Sequence, residues 1–358
     1  MAKSLAVKYR PTSWDDLIEQ DAVKIILKQQ LESGSIHSAM LFCGPSGDGK
    51  TTTARIFANA LNRGKGTPIE MDAASHNGVD DVREISKLAS TKTIDGSEYK
   101  VFIIDECHSM TANAWQAMLK LIEEPPAKVV FIFCTTDPQR LPSTILSRVQ
   151  RFQFQKVSTK GIADRLTEIV IRENSKDYDD PDLRDIGCIR HDSDAIEYIA
   201  KLADGGVRLA IQYLEKCLAY NNELTVKNVV KALNVTNYND YTQLTNLIIT
   251  NNKSEQIKFL DEIYASGVDF KQFLKQYVQF ILDVNKTLIL DDLDEAFKYI
   301  SLPKTSEIET WLTERLQDGN IDLFNRLLSH LIKIDSEVKY SQNAKCDIEC
   351  AILLFTVN

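Results

Sequence analysis

A glycine-rich octapeptide holds the residues whose types and spacing most clearly predict chemistry. It reads Gly44-Pro45-Ser46-Gly47-Asp48-Gly49-Lys50-Thr51 and has the P-loop pattern G-x-x-x-x-G-K-[ST]. Glycines let successive backbone N–H groups point at one anion, and the N-terminus of a following helix adds partial positive charge. We expect Lys50 to reach the β- and γ-phosphates of a nucleoside triphosphate and the Thr51 hydroxyl to ligate Mg²⁺.

The segments on either side of this octapeptide are those that a P-loop needs. The apolar run 39–43 predicts a short buried strand, and residues 52–61 predict a helix. A glycine-rich turn that merely contains a lysine is the alternative. The full set of fixed positions, placed between a strand and a helix, favours nucleotide binding.

A second chemical signal ends another apolar run. Residues 100–106 predict a buried strand that finishes in Asp105 and Glu106, which is the Walker B pattern. Ligands bind at the carboxyl ends of strands in open α/β sheets, so Asp105 is placed to hold Mg²⁺. Glu106 is placed to orient and polarise the attacking water as a general base. A solvated acidic turn is the alternative, and the upstream P-loop favours the catalytic interpretation.

The order of apolar runs predicts the fold class. Buried strands alternate with helices as far as residue 154, which predicts an α/β fold with a mostly parallel sheet. The strand signal stops from residue 159 to about residue 220, where three helices are predicted. From residue 224 onward the periodicity is helical throughout. We therefore expect three domains, at residues 1–157, 158–222 and 223–358.

Several single residues are open to more than one interpretation. Arg208 lies in the first turn of a predicted helix, where a cation is unfavourable, so it is expected to face an anion. Thr136 follows the strand 129–134 and is either a γ-phosphate sensor or part of a turn. Trp14 either packs on a nucleotide base or staples the next helix. Ser75 or Asn77 is predicted to cap the helix that runs to about Ser90.

Composition limits the classes of function. The 358 residues are 44% hydrophobic and carry a formal net charge of −9, which argues against a broadly basic surface that wraps nucleic acid. Local DNA contact remains compatible with that charge. No secretory signal and no apolar run of about 18 residues is present, so we expect a cytoplasmic protein without a membrane span.

The seven cysteines are scattered and odd in number, so no disulfide framework is predicted. Cys188 with His191, and Cys346 with Cys350, have spacings found in metal sites. Neither pair has a second pair at a zinc spacing, so no zinc site is predicted.

Taken together, these motifs resemble the clamp-loader ATPases of the AAA+ superfamily, and among them the gamma/tau subunits of bacterial DNA polymerase III. The resemblance is strong over residues 5–157, clear at 205–214, and weaker but continuous through the helical tail. The residues that carry it are Lys8-Tyr9-Arg10-Pro11, Ile36 to Phe42 with the P-loop, Met71-Asp72-Ala73-Ala74-Ser75, Ile104 to Met110, Leu119 to Pro126, Thr135 to Pro142 and Ile145-Leu146-Ser147-Arg148.

The resemblance implies a role for each matching position. Arg148 is expected to be an arginine finger that reaches the γ-phosphate bound by a neighbouring subunit, although an arginine at a helix end is usually only solvated. Thr136 falls at the sensor-1 position and Arg208 at sensor-2. Tyr9, Arg10 and Pro11 match the segment that lines the adenine pocket, and Thr52 completes the ATP-binding stretch. Candidate DNA contacts are Ser75, His76, Asn77 and Arg83.

The chain also departs from the family pattern. The bacterial relatives usually carry a four-cysteine zinc module after the P-loop helix, whereas residues 62–67 bridge directly here. Val149 replaces the cysteine that usually follows the finger arginine. The sequence stops after the helices that match the collar, so we expect a short form without a tau-like tail, such as a phage-encoded one.

The sequence therefore predicts an AAA+ P-loop domain, a small helical lid and an all-helical collar. The implied function is the ATPase subunit of a sliding-clamp loader, using ATP and Mg²⁺. The implied partners are a sliding clamp, primer-template DNA and other loader subunits in a pentameric ring. Two alternatives remain: another AAA+ DNA motor such as a branch-migration helicase, and a non-catalytic loader subunit.

Overall fold

The computed structural model describes residues 3–91, 93, 96–174, 189–233, 238–265, 267–339, 341 and 343–357. The chain divides into two compact units and passes between them more than once. Residues 1–189 and 199–219 form the first unit, and residues 190–198 and 220–358 form the second. The three-domain division remains a prediction.

The first unit is built from strands alternating with helices. Its elements in chain order are α1 Leu5–Lys8, α2 Asp21–Ser33, β1 Ala39–Cys43, α3 Lys50–Leu61, β2 Ile69–Asp72, α4 Val79–Ser90, β3 Lys100–Asp105, α5 Ala112–Glu123, β4 Val129–Thr135, α6 Ser143–Leu146, β5 Gln150–Gln153 and α7 Thr159–Asn174. After β6 Arg190–His191 and α8 Ser193–Leu202, which contains one boundary between the units, α9 Val207–Tyr220 returns to this unit.

Five parallel strands form one sheet in the order β2-β3-β4-β1-β5. Side chains alternate between its two faces, as period 2 requires. Leu41 of β1 packs with α4 and α5 residues such as Val82 and Trp115. Met40 and Phe42 pack on the other face with residues of α2 and α3. Both faces are covered, which explains why the strands read as continuous apolar runs.

The second unit is mostly helical. After β6 and the start of α8 it contains β7 Glu223–Leu224, α10 Val226–Leu233, α11 Tyr238–Ile249, α12 Lys253–Ala265, α13 Phe270–Leu290, α14 Leu293–Ala296, α15 Ser306–Asp318, α16 Ile321–Val338 and α17 Ala344–Leu354. The core lies around α13, where Phe273, Tyr277 and Phe280 stack along the helix with ring centroids 6.2 and 6.3 Å apart. None of the described helices meets the length and hydropathy that a membrane crossing needs.

The structure corrects two local predictions. β6 and β7 pair in a region from which strands were not expected. Neither Ser75 nor Asn77 caps α4: Gly78 is the N-cap, and Asp81 Oδ2 accepts its backbone N–H at 2.9 Å. A carboxylate in the first turn thus satisfies a free N–H and also suits the helix dipole.

Candidate nucleotide site

The glycine-rich loop connects the end of β1 to the start of α3. Gly47 and Gly49 have φ values of 81° and 97°, in the left-handed region that glycine adopts most readily. A Cβ on Gly44 would lie 2.6 Å from the carbonyl oxygen of Phe154, so a side chain does not fit there. Lys50 is the first residue of α3, which places the loop at the positive end of that helix.

The ammonium group of Lys50 is buried within this loop. Its Nζ donates to the carbonyl oxygens of Gly44 at 2.9 Å and Pro45 at 2.5 Å, and to Asp48 Oδ1 at 3.0 Å. Asp48 is only 4% exposed. Burial raises the pKa of Asp48 above its ordinary value, while the Lys50 charge opposes that rise. Sequence reasoning placed Asp48 in the loop but missed this ion pair, which only the folded loop brings together.

The two predicted magnesium ligands lie side by side. Thr51 Oγ1 donates a 2.8 Å hydrogen bond to Asp105 Oδ2, although the two residues are 54 positions apart. Asp105 ends β3 at the carboxyl edge of the sheet. A hydroxyl and a carboxylate are the oxygen ligands that Mg²⁺ takes beside nucleotide phosphates, so this pair fits that ion.

Glu106 follows Asp105 in an unusual backbone conformation, with φ 46° and ψ 41°. This left-handed conformation is rare for a residue with a long side chain and is typical of functional sites. Glu106 Oε2 accepts a 3.4 Å hydrogen bond from Thr136 Oγ1. It also lies 3.3 Å from Nδ1 of His108, and this nitrogen lies 3.0 Å from Thr135 Oγ1.

The sequence analysis did not assign His108 a role, although it stands two residues after the acidic pair. The structure brings Glu106, His108 and Thr136 together at the ends of β3 and β4. Since Thr136 contacts the proposed general base directly, the predicted sensor residue lies where it can position that base.

A cavity of about 170 Å³ joins the loop to the N-terminal segment and to the start of α9. The predicted residues that line it are Tyr9, Arg10, Pro11, residues 46–52, Asp105, Glu106 and Arg208. Gly44, Pro45, Thr136 and Arg148 are not among its lining residues. Ile18, Val157 and Ile211, which the sequence analysis did not single out, add apolar wall. A cavity with phosphate-binding and apolar parts is suited to a nucleotide.

Two arginines face this cavity without a carboxylate partner. Neither Arg10 nor Arg208 forms a side-chain hydrogen bond or an ion pair with a described residue, whereas Arg55 is paired with Glu70. Burial lowers the pKa of Arg10, and the charges of Arg55 and Arg208 lower it further. Unpaired cations that repel one another gain stability when an anion enters between them.

Hydrogen bonds hold the predicted adenine-pocket segment against α7. Arg165, which is 7% exposed, donates from NH2 to the carbonyl oxygen of Tyr9 at 3.0 Å. The Tyr9 hydroxyl donates to Glu173 Oε1 at 2.6 Å. Burial, then this acceptor, raises the pKa of Tyr9. Trp14 packs against the core beside α2 and α3, in keeping with the stapling interpretation.

Arg148 lies away from this cavity, just after α6. Its side chain is 40% exposed, and Nε lies 2.7 Å from Glu123 Oε1. NH1 donates to the carbonyl oxygen of Thr144 at 2.8 Å and to Ser147 Oγ at 3.3 Å. The structure therefore does not bring Arg148 to the P-loop of its own chain.

The candidate DNA contacts lie together at the start of α4 and are exposed. The Ser75 hydroxyl lies 3.1 Å from His76 Nδ1, and the Asn77 carbonyl accepts the backbone N–H of Thr111 at 3.1 Å. Arg83 pairs with Asp80 at 2.6 Å on the helix surface. Because both partners are well solvated, Arg83 can readily exchange Asp80 for another anion.

Of the cysteines with metal-site spacings, Cys188 lies outside the described residues. Among the residues that the structure describes, no three His, Cys, Asp or Glu side chains come together as a metal site.

Comparison with known proteins gives a family model, described as DNA polymerase III, delta subunit, that matches residues 65–158. The tau subunit of DNA polymerase III from Bacillus subtilis is 28% identical over 96% of this chain and 62% of its own length. The gamma subunit from Buchnera aphidicola is 28% identical over 98% of this chain and 97% of its own. Protein STICHEL from Arabidopsis thaliana is 34% identical over 79% of this chain.

The chain spans less than two thirds of the Bacillus tau subunit and 24% of STICHEL. Among solved structures, two variants of RuvB from Thermotoga maritima match with a TM-score of 0.50 at 23% and 24% identity, covering 73% of this chain and 86% of RuvB. At that identity the match concerns the fold alone, and it agrees with the predicted AAA+ P-loop sheet and helical parts. The resemblance to the clamp-loader ATPases is confirmed, because this chain is similar to gamma and tau subunits of DNA polymerase III over nearly its whole length.

Proposed function

We propose that the chain is the ATPase subunit of a sliding-clamp loader. The main observation in support is the meeting, around one cavity, of the Lys50 loop, the acidic pair at the end of β3, and two unpaired arginines. This combination suits a nucleoside triphosphate, whose phosphates need several cations and whose hydrolysis needs a base. The similarity to gamma and tau subunits supplies the replication context.

Each group has a role in the proposed reaction. Lys50, Arg208 and the loop N–H groups bind the phosphates of ATP, and Tyr9, Arg10 and Pro11 line the base end. Mg²⁺, held by Thr51 and Asp105, would neutralise charge that develops on the β- and γ-phosphate oxygens. Glu106 orients the attacking water and accepts its proton, while Thr136 holds the Glu106 carboxylate in place.

The exposed position of Arg148 supports a role in a neighbouring subunit. A finger that serves its own chain would be expected to line the cavity described above, and Arg148 does not. We propose that Arg148 completes the site of the next subunit in a pentameric ring, with residues 223–358 as the collar. ATP binding would then order the ring and open the clamp. Primer-template DNA, contacted through Ser75, His76, Asn77 and Arg83, would trigger hydrolysis and clamp release.

Steady-state ATPase activity tests this proposal, measured with combinations of primed-template DNA and the cognate sliding clamp. Strong stimulation that needs both ligands supports a clamp loader. Stimulation by branched or duplex DNA that ignores the clamp would instead assign the chain to the DNA motors. Purified chain should also be assayed with its partner subunits, because Arg148 acts across an interface. ATP binding without turnover in that full assembly would favour a non-catalytic subunit.

A further inference from the structure

A buried carboxylate lies inside the loop that is proposed to bind phosphate. Asp48 is 4% exposed, and its Oδ1 lies 3.0 Å from the Lys50 ammonium. Its second oxygen, Oδ2, has no hydrogen-bond partner among the described residues. The side chain folds back under the loop towards Gly44, where a Cβ would clash with it.

This arrangement engages the same cation that the phosphates need. Lys50 Nζ donates to Asp48 and to two loop carbonyls, which matches the three donors of an ammonium group. A β- or γ-phosphate that binds Lys50 must therefore take at least one of these positions. Of the three, only Asp48 carries a negative charge, so it also repels the incoming phosphates.

We propose that Asp48 is an internal competitor of the nucleotide phosphates for Lys50, and that it sets the affinity of the site. This inference rests on the proposed function, because it takes a nucleoside triphosphate as the ligand. Its consequence is a site that binds more weakly and releases product faster than the same loop with a neutral residue at position 48.

The burial of this charge pair also explains why the competition is specific. Like charges in a water-poor loop interact more strongly than on the surface, since solvent screens them less. The effect should fall on ligands with β- and γ-phosphates, which reach Lys50. It should not fall on adenosine, which carries no phosphate charge.

The test compares Asp48→Asn and Asp48→Thr with the unaltered chain, using equilibrium binding of Mg-ATP, Mg-ADP and adenosine. We expect ATP and ADP to bind about tenfold more tightly to both variants, and adenosine to bind as before. Asp21→Asn is the matched control: it removes one negative charge from a side chain that is 78% exposed and pairs with Lys24, and should change none of the three affinities.

Three results would overturn the inference. One is unchanged or weaker ATP binding in both variants while Lys50→Ala abolishes it. Another is equal tightening of adenosine, which would indicate a general change in the cavity. Failure of every variant and of the unaltered chain to bind ATP would overturn the proposed function as well. Asn and Thr differ in shape, so if thermal unfolding shows that one variant misfolds, the other still tests the inference.

Discussion

The Thr51 hydroxyl donates a 2.8 Å hydrogen bond to Asp105 Oδ2, joining the start of α3 to the end of β3. We expect Thr51→Ala to remove one oxygen ligand of Mg²⁺ and to lower turnover while ATP is still bound. The Mg²⁺ concentration that gives half-maximal ATPase activity should rise about tenfold or more. Thr51→Ser keeps the hydroxyl, so its half-maximal Mg²⁺ concentration should stay close to that of the unaltered chain. An equal loss in both variants would show that the hydroxyl is not the functional group.

Lys50→Ala should abolish nucleotide binding and also destabilise the fold. The change leaves Asp48 buried without its cation, which costs about 3 kcal/mol of unfolding free energy. Adding Asp48→Asn to Lys50→Ala should restore most of the melting temperature but none of the ATP binding. Thermal unfolding and equilibrium binding of the single and double variants measure the two effects separately. Tight ATP binding by Lys50→Ala would refute its role as a phosphate ligand.

Glu106→Gln should separate binding from hydrolysis. The amide keeps the size of the side chain but cannot accept a proton from water, so turnover should fall about 10²- to 10⁴-fold with little change in ATP affinity. Single-turnover hydrolysis and equilibrium binding give the two quantities. Glu98→Gln, at an exposed pair with Lys128, is the matched control. Turnover as fast as in the unaltered chain would remove Glu106 as the base.

Arg148→Ala should act only across an interface. In the assembled complex we expect turnover to fall by about 10³, as for other arginine fingers, with ATP affinity of the isolated chain unchanged. Arg140→Ala removes an arginine that is 68% exposed and pairs with Asp137, and it serves as the control. Equal loss of activity in isolated subunits would indicate that Arg148 acts within its own chain.

A buried carboxylate in the second unit gives a stability prediction that is independent of the nucleotide. Asp283 is fully buried and accepts from Gln279 Nε2 at 2.9 Å, Lys286 Nζ at 3.2 Å and the Ser301 backbone N–H at 2.8 Å. Asp283→Ala leaves the Ser301 N–H without this acceptor and should lower the free energy of unfolding by about 2–3 kcal/mol.

The control for that prediction is Asp294→Ala. Asp294 is 87% exposed and pairs with Lys304 on the surface, so its loss should leave the free energy of unfolding nearly unchanged. Urea unfolding of the full chain, followed by circular dichroism, measures both variants. Similar costs for the two substitutions would contradict the structural role of Asp283.

Much of the first unit could be predicted because local patterns determine it. The apolar runs before Gly44, before Asp105 and before Thr136 each formed a strand of the parallel sheet. Residues 52–61, which were predicted to be helical, lie in α3. Continuous apolar runs predict buried strands, and a period of 3.6 residues predicts helices, from the local sequence alone.

The missed features depend on contacts between distant residues or on competition between neighbours. β6 and β7 have two residues each, too few for any periodicity, and they form through pairing across more than thirty positions. Arg165 contacts Tyr9 across 156 positions. At α4, Gly78 is the N-cap and Asp81 accepts its backbone N–H, so neither Ser75 nor Asn77 caps the helix. No simple propensity ranks these choices.

The central place of β1 in the sheet has a consequence for synthesis of the chain. β1 pairs with β4 on one side and β5 on the other, and both partners lie about ninety residues or more further along the sequence. A growing chain therefore exposes both edges of β1 until β4 has left the ribosome, and one edge until β5 has followed. Such edges invite aggregation. The sheet that carries the glycine-rich loop is complete only after β5 has been made.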